Sequence, residues 1–303
     1  MIKPHHPRAT EATIKYFIIQ TTASALILSA STINALHTAQ WSISSPIQPY
    51  TAVTITIGII LKLGVAPTHL WYIEVLQGLT IPVALLLTTW QKIAPLTLLY
   101  LTINQLPINI VLVLGLLSTT LGGLLGLNQT QVRKIIACSS ISHMGWLIAT
   151  LAINSKLTTL ALLTYIIITM VTFNLLITTK TKSLKDLGNA WPVSPPQLTL
   201  IIITLLSLAG MPPLTGFIPK LLILKSLIQL NITPIATALA LASLPSIFFY
   251  VRITYITVLT QPPNTTAIEY KWRFKPHPVI TLTILNTTPI ILLPIAPILY
   301  NTL

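Results

Sequence analysis

The sequence contains few charged residues, and only four of its 303 residues are acidic. Charged residues make up 7% of the chain, whereas a soluble domain carries roughly 25%. Hydrophobic residues make up 53%, the mean hydropathy is +0.83, and apolar runs recur along the whole length. This composition excludes a soluble domain with a single anchor and indicates a polytopic integral membrane protein in a lipid bilayer.

Cysteine is also scarce, since Cys138 is the only one in the chain. A single cysteine excludes an intrachain disulfide and a cluster of cysteine ligands for zinc or iron–sulfur. The sequence also lacks a G-x-G-x-x-G dinucleotide motif and a P-loop. We therefore expect that this chain binds no redox cofactor and no metal, and that a partner or an ion gradient supplies its energy.

The net charge of +13 does not indicate a nucleic-acid-binding protein. Nucleic-acid binding requires basic residues clustered on one face. Here the 17 lysines and arginines are spread thinly between apolar segments. They are better interpreted as loop charges that orient the chain in the bilayer, so no nucleic-acid partner is expected.

The apolar runs predict an all-α bundle. A helix needs about 20 apolar residues to cross a bilayer, and in lipid the helix satisfies its own backbone groups. The runs are continuous and lack the alternation of a membrane β-barrel. About nine spans are predicted, at 12–36, 50–66, 78–102, 107–127, 132–153, 157–179, 197–228, 234–258 and 279–300.

Basic residues in alternate connections support this topology. They precede the first span and follow the fourth, sixth and eighth spans, with Lys156 the one exception. The positive-inside rule then places the amino terminus on the matrix or cytoplasmic side. The basic residues concerned are Lys3, Arg8, Arg133, Lys134, Lys180, Lys182, Lys185, Lys271, Arg273 and Lys275.

Two spans are predicted to be broken. Gly64 and Pro67 interrupt the end of the second span, and Pro212, Pro213 and Pro219 fall inside the long span 197–228. Proline removes a backbone donor and clashes with the preceding turn, which leaves carbonyls free at membrane depth. Discontinuous helices of this kind are typical of proteins that translocate ions.

Three lysines lie inside apolar spans: Lys62, Lys92 and Lys220. A charged side chain at the bilayer centre is costly, so such residues usually face the bundle interior and line ion pathways. The alternative is that the long lysine stem carries the amine to the headgroups. Two of the three lie beside a predicted break, which favours the ion-pathway interpretation.

Two histidines are candidates for relaying protons, because histidine titrates near neutral pH. His69 follows the first break, and His143 lies inside the fifth span. A histidine that only makes an interhelical hydrogen bond is an equally good interpretation. Glu11 and Lys15 have the i,i+4 spacing of a helical ion pair, which we interpret as structural.

Several segments resemble one protein family, that of vertebrate mitochondrial NADH dehydrogenase subunit 2. The resemblance runs nearly end to end and is carried by PRATEATIKYF (7–17), LKLGVAP (61–67), GLNQTQVRKI (126–135), SSISHMGW (139–146) and LSLAGMPPLTGF (206–217).

The resemblance implies a single antiporter-like transmembrane domain over residues 1–303 and a place in respiratory complex I of the mitochondrial inner membrane. It implies proton translocation coupled to electron transfer from NADH to ubiquinone. The partners would be other complex I membrane subunits. NADH, FMN, the iron–sulfur clusters and ubiquinone would belong to the rest of that complex.

The resemblance also implies residue roles. Lys62 is similar to the proton-input lysine, Lys92 to the central relay and Lys220 to the exit-side lysine, with His69 on or near the hydrophilic axis between them. The family normally begins with two further helices that include a membrane glutamate. This chain is expected to lack them, which leaves the carboxylate partner of Lys62 unaccounted for.

The chain departs from the family pattern beside these positions. Thr68 stands in place of a phenylalanine, Ile73 in place of a proline, Leu221 in place of a tryptophan, and Lys225 where acidic residues are common. Two alternative functions remain open from the residues: a free-standing cation/proton antiporter, and an assembly subunit that transports nothing.

Overall fold

The computed structural model describes residues 6–41, 48–179, 181–190, 195–259 and residue 287. Within these ranges the chain forms twelve α-helices, one 3₁₀ turn (Ile103–Gln105) and an isolated bridge between Gln131 and Ser183. The helices are α1 (Pro7–Thr38), α2 (Pro49–Leu63), α3 (Leu70–Gly78), α4 (Ile81–Thr88), α5 (Trp90–Thr102), α6 (Ile108–Gly126), α7 (Val132–Leu151), α8 (Ser155–Thr179), α9 (Leu184–Asn189), α10 (Pro195–Ala209), α11 (Phe217–Gln229) and α12 (Thr233–Leu259).

Six described segments are long and apolar enough to cross a membrane. They are Pro7–Thr38, Ile81–Gln105, Ile108–Gly126, Val132–Leu151, Ser155–Thr179 and Thr233–Leu259, while α2 and α10 are shorter apolar helices. The structure therefore confirms the prediction of an all-α multi-pass membrane protein. The total of nine spans stays a prediction, and the ninth span, 279–300, lies outside the described residues except for Thr287.

The centre of the bundle is α7, whose most apolar stretch is 89% buried. It packs most extensively on α6 and also contacts α3 and α8. The approach to α6 is close because glycine faces α7: a Cβ at Gly122 would lie 2.6 Å from the backbone nitrogen of Ser142. Since α7 carries His143, this packing places that side chain deep in the bundle.

Both predicted breaks are present. Helix α2 ends before Gly64, which adopts φ 66° and donates its N–H to the Ile60 carbonyl at 3.0 Å. Helix α10 ends before Gly210, which adopts φ 83°, and α11 begins only at Phe217. Glycine adopts this left-handed conformation without the steric cost of a Cβ, so it ends both helices.

A third interruption, at Thr89, was not predicted from the sequence. It separates α4 from α5, so the predicted span 78–102 is not one continuous helix. The hydroxyls of Thr88 and Thr89 both bond to the Leu85 carbonyl, at 3.0 and 2.8 Å. A threonine hydroxyl can compete in this way with backbone N–H groups for a helical carbonyl. Whether this interrupts the helix depends on the surrounding structure, more than it does for proline.

Charged side chains tie neighbouring helices at the ends of the bundle. The predicted Glu11–Lys15 pair is confirmed at 2.5 Å, and Lys15 also bonds to Glu74 at 2.5 Å. Glu74 lies within α3, so its bond to Lys15 links α3 to α1. Arg133 donates to the Leu79 carbonyl after α3.

Candidate functional site

Lys92 lies in the first turn of α5, directly after the interruption at Thr89. Its side chain is buried, with 3% of the residue exposed. The Nζ atom lies 4.7 Å from the centroid of the Tyr72 ring and 5.6 Å from that of the Tyr165 ring. Within the described residues, Nζ makes no hydrogen bond. The amine therefore lies close to two aromatic rings.

Each of the two tyrosines is fixed by its hydroxyl group. The Tyr165 hydroxyl donates to the carbonyl of Thr88 at 3.2 Å, at the end of α4. The Tyr72 hydroxyl lies 3.0 Å from the Ser140 hydroxyl on α7. These bonds connect the surroundings of Lys92 to the interruption before it and to the central helix.

Lys220 lies in the first turn of α11, after the second break. Its Nζ donates to the Ala209 carbonyl at 2.8 Å and lies 6.0 Å from the centroid of the Trp146 ring. The side chain passes directly against Gly210, where a Cβ would lie 3.0 Å from the lysine Cδ. Glycine at this position thus allows both the left-handed turn and the close approach of the lysine.

His143, on α7, connects the two lysines. It interacts electrostatically with Lys220 and with Lys92, and its ring centroid lies 5.4 Å from that of Tyr165. Its side chain is partly buried and lies against the backbone of Leu208, near the end of α10. Lys92, His143 and Lys220 are thus three titratable side chains of one region of the bundle, and this group is called the row.

A small cavity lies beside His143 and Lys220, and Lys92 is not part of its wall. It has a volume of about 30 Å³, enough for one or two water molecules. His143 and Lys220 contribute the titratable groups of its wall, together with Tyr165. The remaining lining residues are Trp146, Leu147, Ala161, Thr164, Ile168, Ser207, Leu208, Gly216, Pro219 and Ile223.

Lys62 and His69 lie at the first break and outside this cavity. Lys62 occupies the last turn of α2, and its helix packs against α5, which carries Lys92. In the described part of the chain Lys62 forms no ion pair. His69 is 6% exposed, precedes α3 and neighbours the backbone of Pro67. The structure does not bring either residue into the row.

The aromatic residues around the lysines were missed by the sequence analysis. Tyr72, Tyr165 and Trp146 all contact a lysine of the row. A tyrosine in an apolar span needs a partner for its hydroxyl, which was a usable signal for Tyr165. Nothing in the sequence predicted which aromatic ring would contact which lysine. Among the described residues, no group of histidine, cysteine and carboxylate side chains could hold a metal ion.

Two family models match the chain. The model described as NADH:quinone oxidoreductase/Mrp antiporter, TM, matches residues 2–245, and the model of the NADH dehydrogenase subunit 2 C-terminus matches residues 247–300. NADH-ubiquinone oxidoreductase chain 2 of Lycodon semicarinatus is 46% identical over 97% of this chain and 86% of the relative. The same subunit of Gallus gallus is 46% identical over 99% of this chain and 87% of the relative.

The chain belongs to the NADH-ubiquinone oxidoreductase chain 2 family. The resemblance drawn from the sequence segments is thereby confirmed. Solved structures show that the chain 2 fold recurs widely. A chain of respiratory complex I from Thermus thermophilus superposes with a TM-score of 0.84 at 22% identity, covering 98% of this chain and 70% of that one.

The same fold occurs in an antiporter. A chain of the Mrp complex from Dietzia sp. superposes with a TM-score of 0.83 at 15% identity, covering 97% of this chain and 67% of that one. The two structural likenesses establish an antiporter-like helix bundle for this chain 2 family member. The identity to the chain 2 relatives, and not the fold, separates it from the antiporters.

Proposed function

We propose that this chain is a proton-translocating membrane subunit of mitochondrial NADH:ubiquinone oxidoreductase, complex I, and that Lys92, His143 and Lys220 carry its protons. Family membership supports the place in the enzyme. The single observation that supports the residue assignment is that His143 interacts with both buried Lys92 and partly buried Lys220 in a bundle with few other charges.

The row offers a chemically simple route. A protonated Lys92 gives its proton to the imidazole of His143, which becomes imidazolium while the lysine becomes a neutral amine. The imidazolium then gives a proton to neutral Lys220 and returns to the neutral ring. Lysine and histidine both exist in two protonation states, as a relay requires. The cavity beside His143 has room for a water molecule where direct contact is too long.

Lys62 is assigned to the input side of this route. It lies at the end of α2 beside the break at Gly64, and α2 packs against α5. The ended helix leaves carbonyl groups without intrahelical donors, and such backbone at membrane depth is tolerated where it lines a wet cavity. His69 lies on the other side of the same break and is the candidate to assist Lys62.

The redox chemistry belongs to partners in this proposal. NADH, FMN, the iron–sulfur clusters and ubiquinone would be bound by other subunits, and electron transfer there would drive the protonation changes here. The other membrane subunits of complex I would cover part of the exposed apolar surface, and lipid of the mitochondrial inner membrane the rest. No nucleic acid takes part.

Lys92→Ala provides the direct test. Protons pumped per NADH oxidised would be measured in vesicles containing the assembled complex, with NADH oxidation recorded in the same vesicles. We expect pumping to be lost, with or without slower oxidation. Lys156→Ala is the matched control, because Lys156 is exposed at the start of α8. Pumping and oxidation at the wild-type level in Lys92→Ala would make the lysine structural and refute the relay.

A free-standing cation/proton antiporter is the second candidate, favoured by the fold shared with the Mrp complex. It predicts transport that depends on sodium or potassium and is insensitive to a quinone-site inhibitor. Transport that requires NADH oxidation and stops with such an inhibitor would exclude it. A subunit with only an assembly role would leave pumping unchanged in every lysine variant that assembles.

A further inference from the structure

Lys92 places a titratable amine in the bundle interior without the usual partners. Its residue is 3% exposed, and within the described residues its Nζ has no hydrogen-bond acceptor. A buried ammonium normally requires an ion pair or hydrogen bonds, because transfer from water into an apolar interior is costly. Any other contact that favours the ammonium form therefore has a large influence on how readily Lys92 takes up a proton.

Among the described residues, no carboxylate forms an ion pair with Lys92. Helix α2 carries Lys62, α7 carries His143, and the carboxylate of α3, Glu74, is paired with Lys15. Helix α4 has no titratable residue. Lys62 and a protonated His143 would both repel the ammonium, so charge pairing does not stabilise it.

Two aromatic rings provide the stabilisation. The Tyr72 and Tyr165 centroids lie 4.7 and 5.6 Å from the Lys92 Nζ. A cation within about 6 Å of an aromatic centroid is attracted by the negative ring face, and the attraction is larger when both groups are removed from water. Both tyrosines are buried, so the interaction takes place without solvent.

Tyr72, the closer ring, is held in place by contacts on three sides. Its hydroxyl bonds to Ser140 on α7 at 3.0 Å, and the Trp71 ring meets it edge-on with centroids 5.7 Å apart. On the third side it packs on Gly64, where a Cβ would lie 3.0 Å from the Tyr72 Cβ. Tyr72 therefore bridges the first helix break and the central lysine.

We propose that Tyr72 is a positioning residue for proton transfer: its ring face, together with Tyr165, stabilises the protonated form of Lys92 and sets how readily Lys92 takes up a proton. The inference rests on the proposed function, because it gives Tyr72 a role in the relay through Lys92. The ring makes the contact with Lys92 and the hydroxyl helps to fix the ring, so the two parts of the side chain can be tested separately.

The test measures pumping per NADH oxidised against pH in assembled complex with Tyr72→Phe, Tyr72→Leu and Tyr72→Met. Phenylalanine keeps the ring but loses the bond to Ser140, and its profile should lie closer to the wild type than the leucine and methionine profiles. Leucine and methionine remove the ring, and the alkaline limb of their profiles should move to lower pH by about one unit, a tenfold loss of proton affinity. Tyr255→Leu, at an exposed tyrosine of α12, should leave the profile unchanged.

Three results would overturn the inference. They are an unshifted profile in Tyr72→Leu or Tyr72→Met, a shift as large in Tyr72→Phe as in Tyr72→Leu, and failure of both ring-removing variants to assemble while Tyr72→Phe assembles. The last would make the ring a packing element only. Lys92→Ala shows whether such a result refutes the inference about Tyr72 or the proposed function as well. If Lys92→Ala pumps normally, the proposed relay is wrong. If Lys92→Ala does not pump, the relay stands and only the role of Tyr72 is refuted.

Discussion

The Nζ of Lys220 donates a 2.8 Å hydrogen bond to the carbonyl of Ala209, the last residue of α10. In the turn that follows, the Gly210 N–H donates to the Ser207 carbonyl at 3.0 Å and the Met211 N–H donates to the Leu206 carbonyl at 3.3 Å. The Ala209 carbonyl instead bonds to a charged donor from the next helix, which is a stronger interaction than a neutral hydrogen bond. The second break and its lysine thus form one structural unit.

Two substitutions of Lys220 separate its roles in capping and in transport. Lys220→Met removes both the proton carrier and the donor to Ala209, so pumping per NADH should fall by more than about tenfold and stability by about 1–3 kcal/mol. Lys220→Arg keeps a permanent positive charge, so assembly should be retained while pumping is lost. Pumping in vesicles and the amount of assembled complex are measured together.

The control for Lys220 is Lys225→Met on the same helix, because Lys225 is exposed. It should leave both measurements at the wild-type level. Normal pumping in Lys220→Arg would show that Lys220 need not release a proton, and would contradict its place in the relay.

His143→Phe tests the connection between the lysines. Phenylalanine keeps a ring against Tyr165 but cannot carry a proton, so the pumping rate should fall by at least about tenfold. The rate is measured as proton uptake at a matched rate of NADH oxidation. His37→Phe is the control, since His37 is exposed in the last turn of α1. Equal rates in the His143 variant and the wild type would mean that the two lysines exchange protons without it.

The contact between α6 and α7 predicts a strong effect of Gly122→Ala. The added Cβ would lie 2.6 Å from the Ser142 backbone nitrogen and 2.9 Å from the Cys138 carbonyl oxygen. Backbone atoms of a packed helix cannot move aside, so we expect a loss of about 1–3 kcal/mol. A lower melting temperature of the purified complex would report it. At neighbouring Gly123 the nearest atom is the Pro245 Cβ at 3.1 Å, so Gly123→Ala should cost less.

Helix α9, outside the spanning helices, gives a pH prediction. The Ser183 hydroxyl accepts from the Asp186 N–H at 3.3 Å, and the Asp186 carboxylate accepts from the Ser183 N–H at 2.8 Å. The bond from the Ser183 N–H is the main cause that lowers the pKa of Asp186. A carboxyl whose pKa is lower in the folded state stabilises the helix at pH above its ordinary pKa, about 3.9. This stabilisation is lost as the pH falls through the pKa of the folded state.

Amide hydrogen exchange of residues 184–189, corrected for intrinsic rates, measures this effect. Protection should decrease as the pH is lowered below about 4. Asp186→Asn should show weaker protection at neutral pH and little further change on acidification. Ser183→Ala should lose about 1 kcal/mol of local stability at neutral pH. Unchanged protection in Asp186→Asn would show that the carboxylate does not stabilise α9.

The sequence identified the broken helices and the buried charges for reasons that are local. Proline removes a backbone donor in any context, so Pro67 with Gly64 predicted the first break, and Pro212, Pro213 and Pro219 predicted the second. The interruption at Thr89 could not, because threonine hydroxyls compete for carbonyls only where packing favours it. The three lysines were recognisable because any charge is rare in an apolar span.

The sequence by itself determined that the protein is a helical membrane protein, where its helices break and which residues are candidate proton carriers. These features follow from the need to hydrogen-bond backbone groups in lipid and from the cost of burying a charge, and both act on each residue separately. Only the tertiary structure decided which of these meet. His143 interacts with Lys92 and Lys220, the Tyr72 ring lies against Lys92, and Glu74 pairs with Lys15. These partners lie on different helices, so their meeting depends on how several helices pack at once, which no local pattern in the sequence determines.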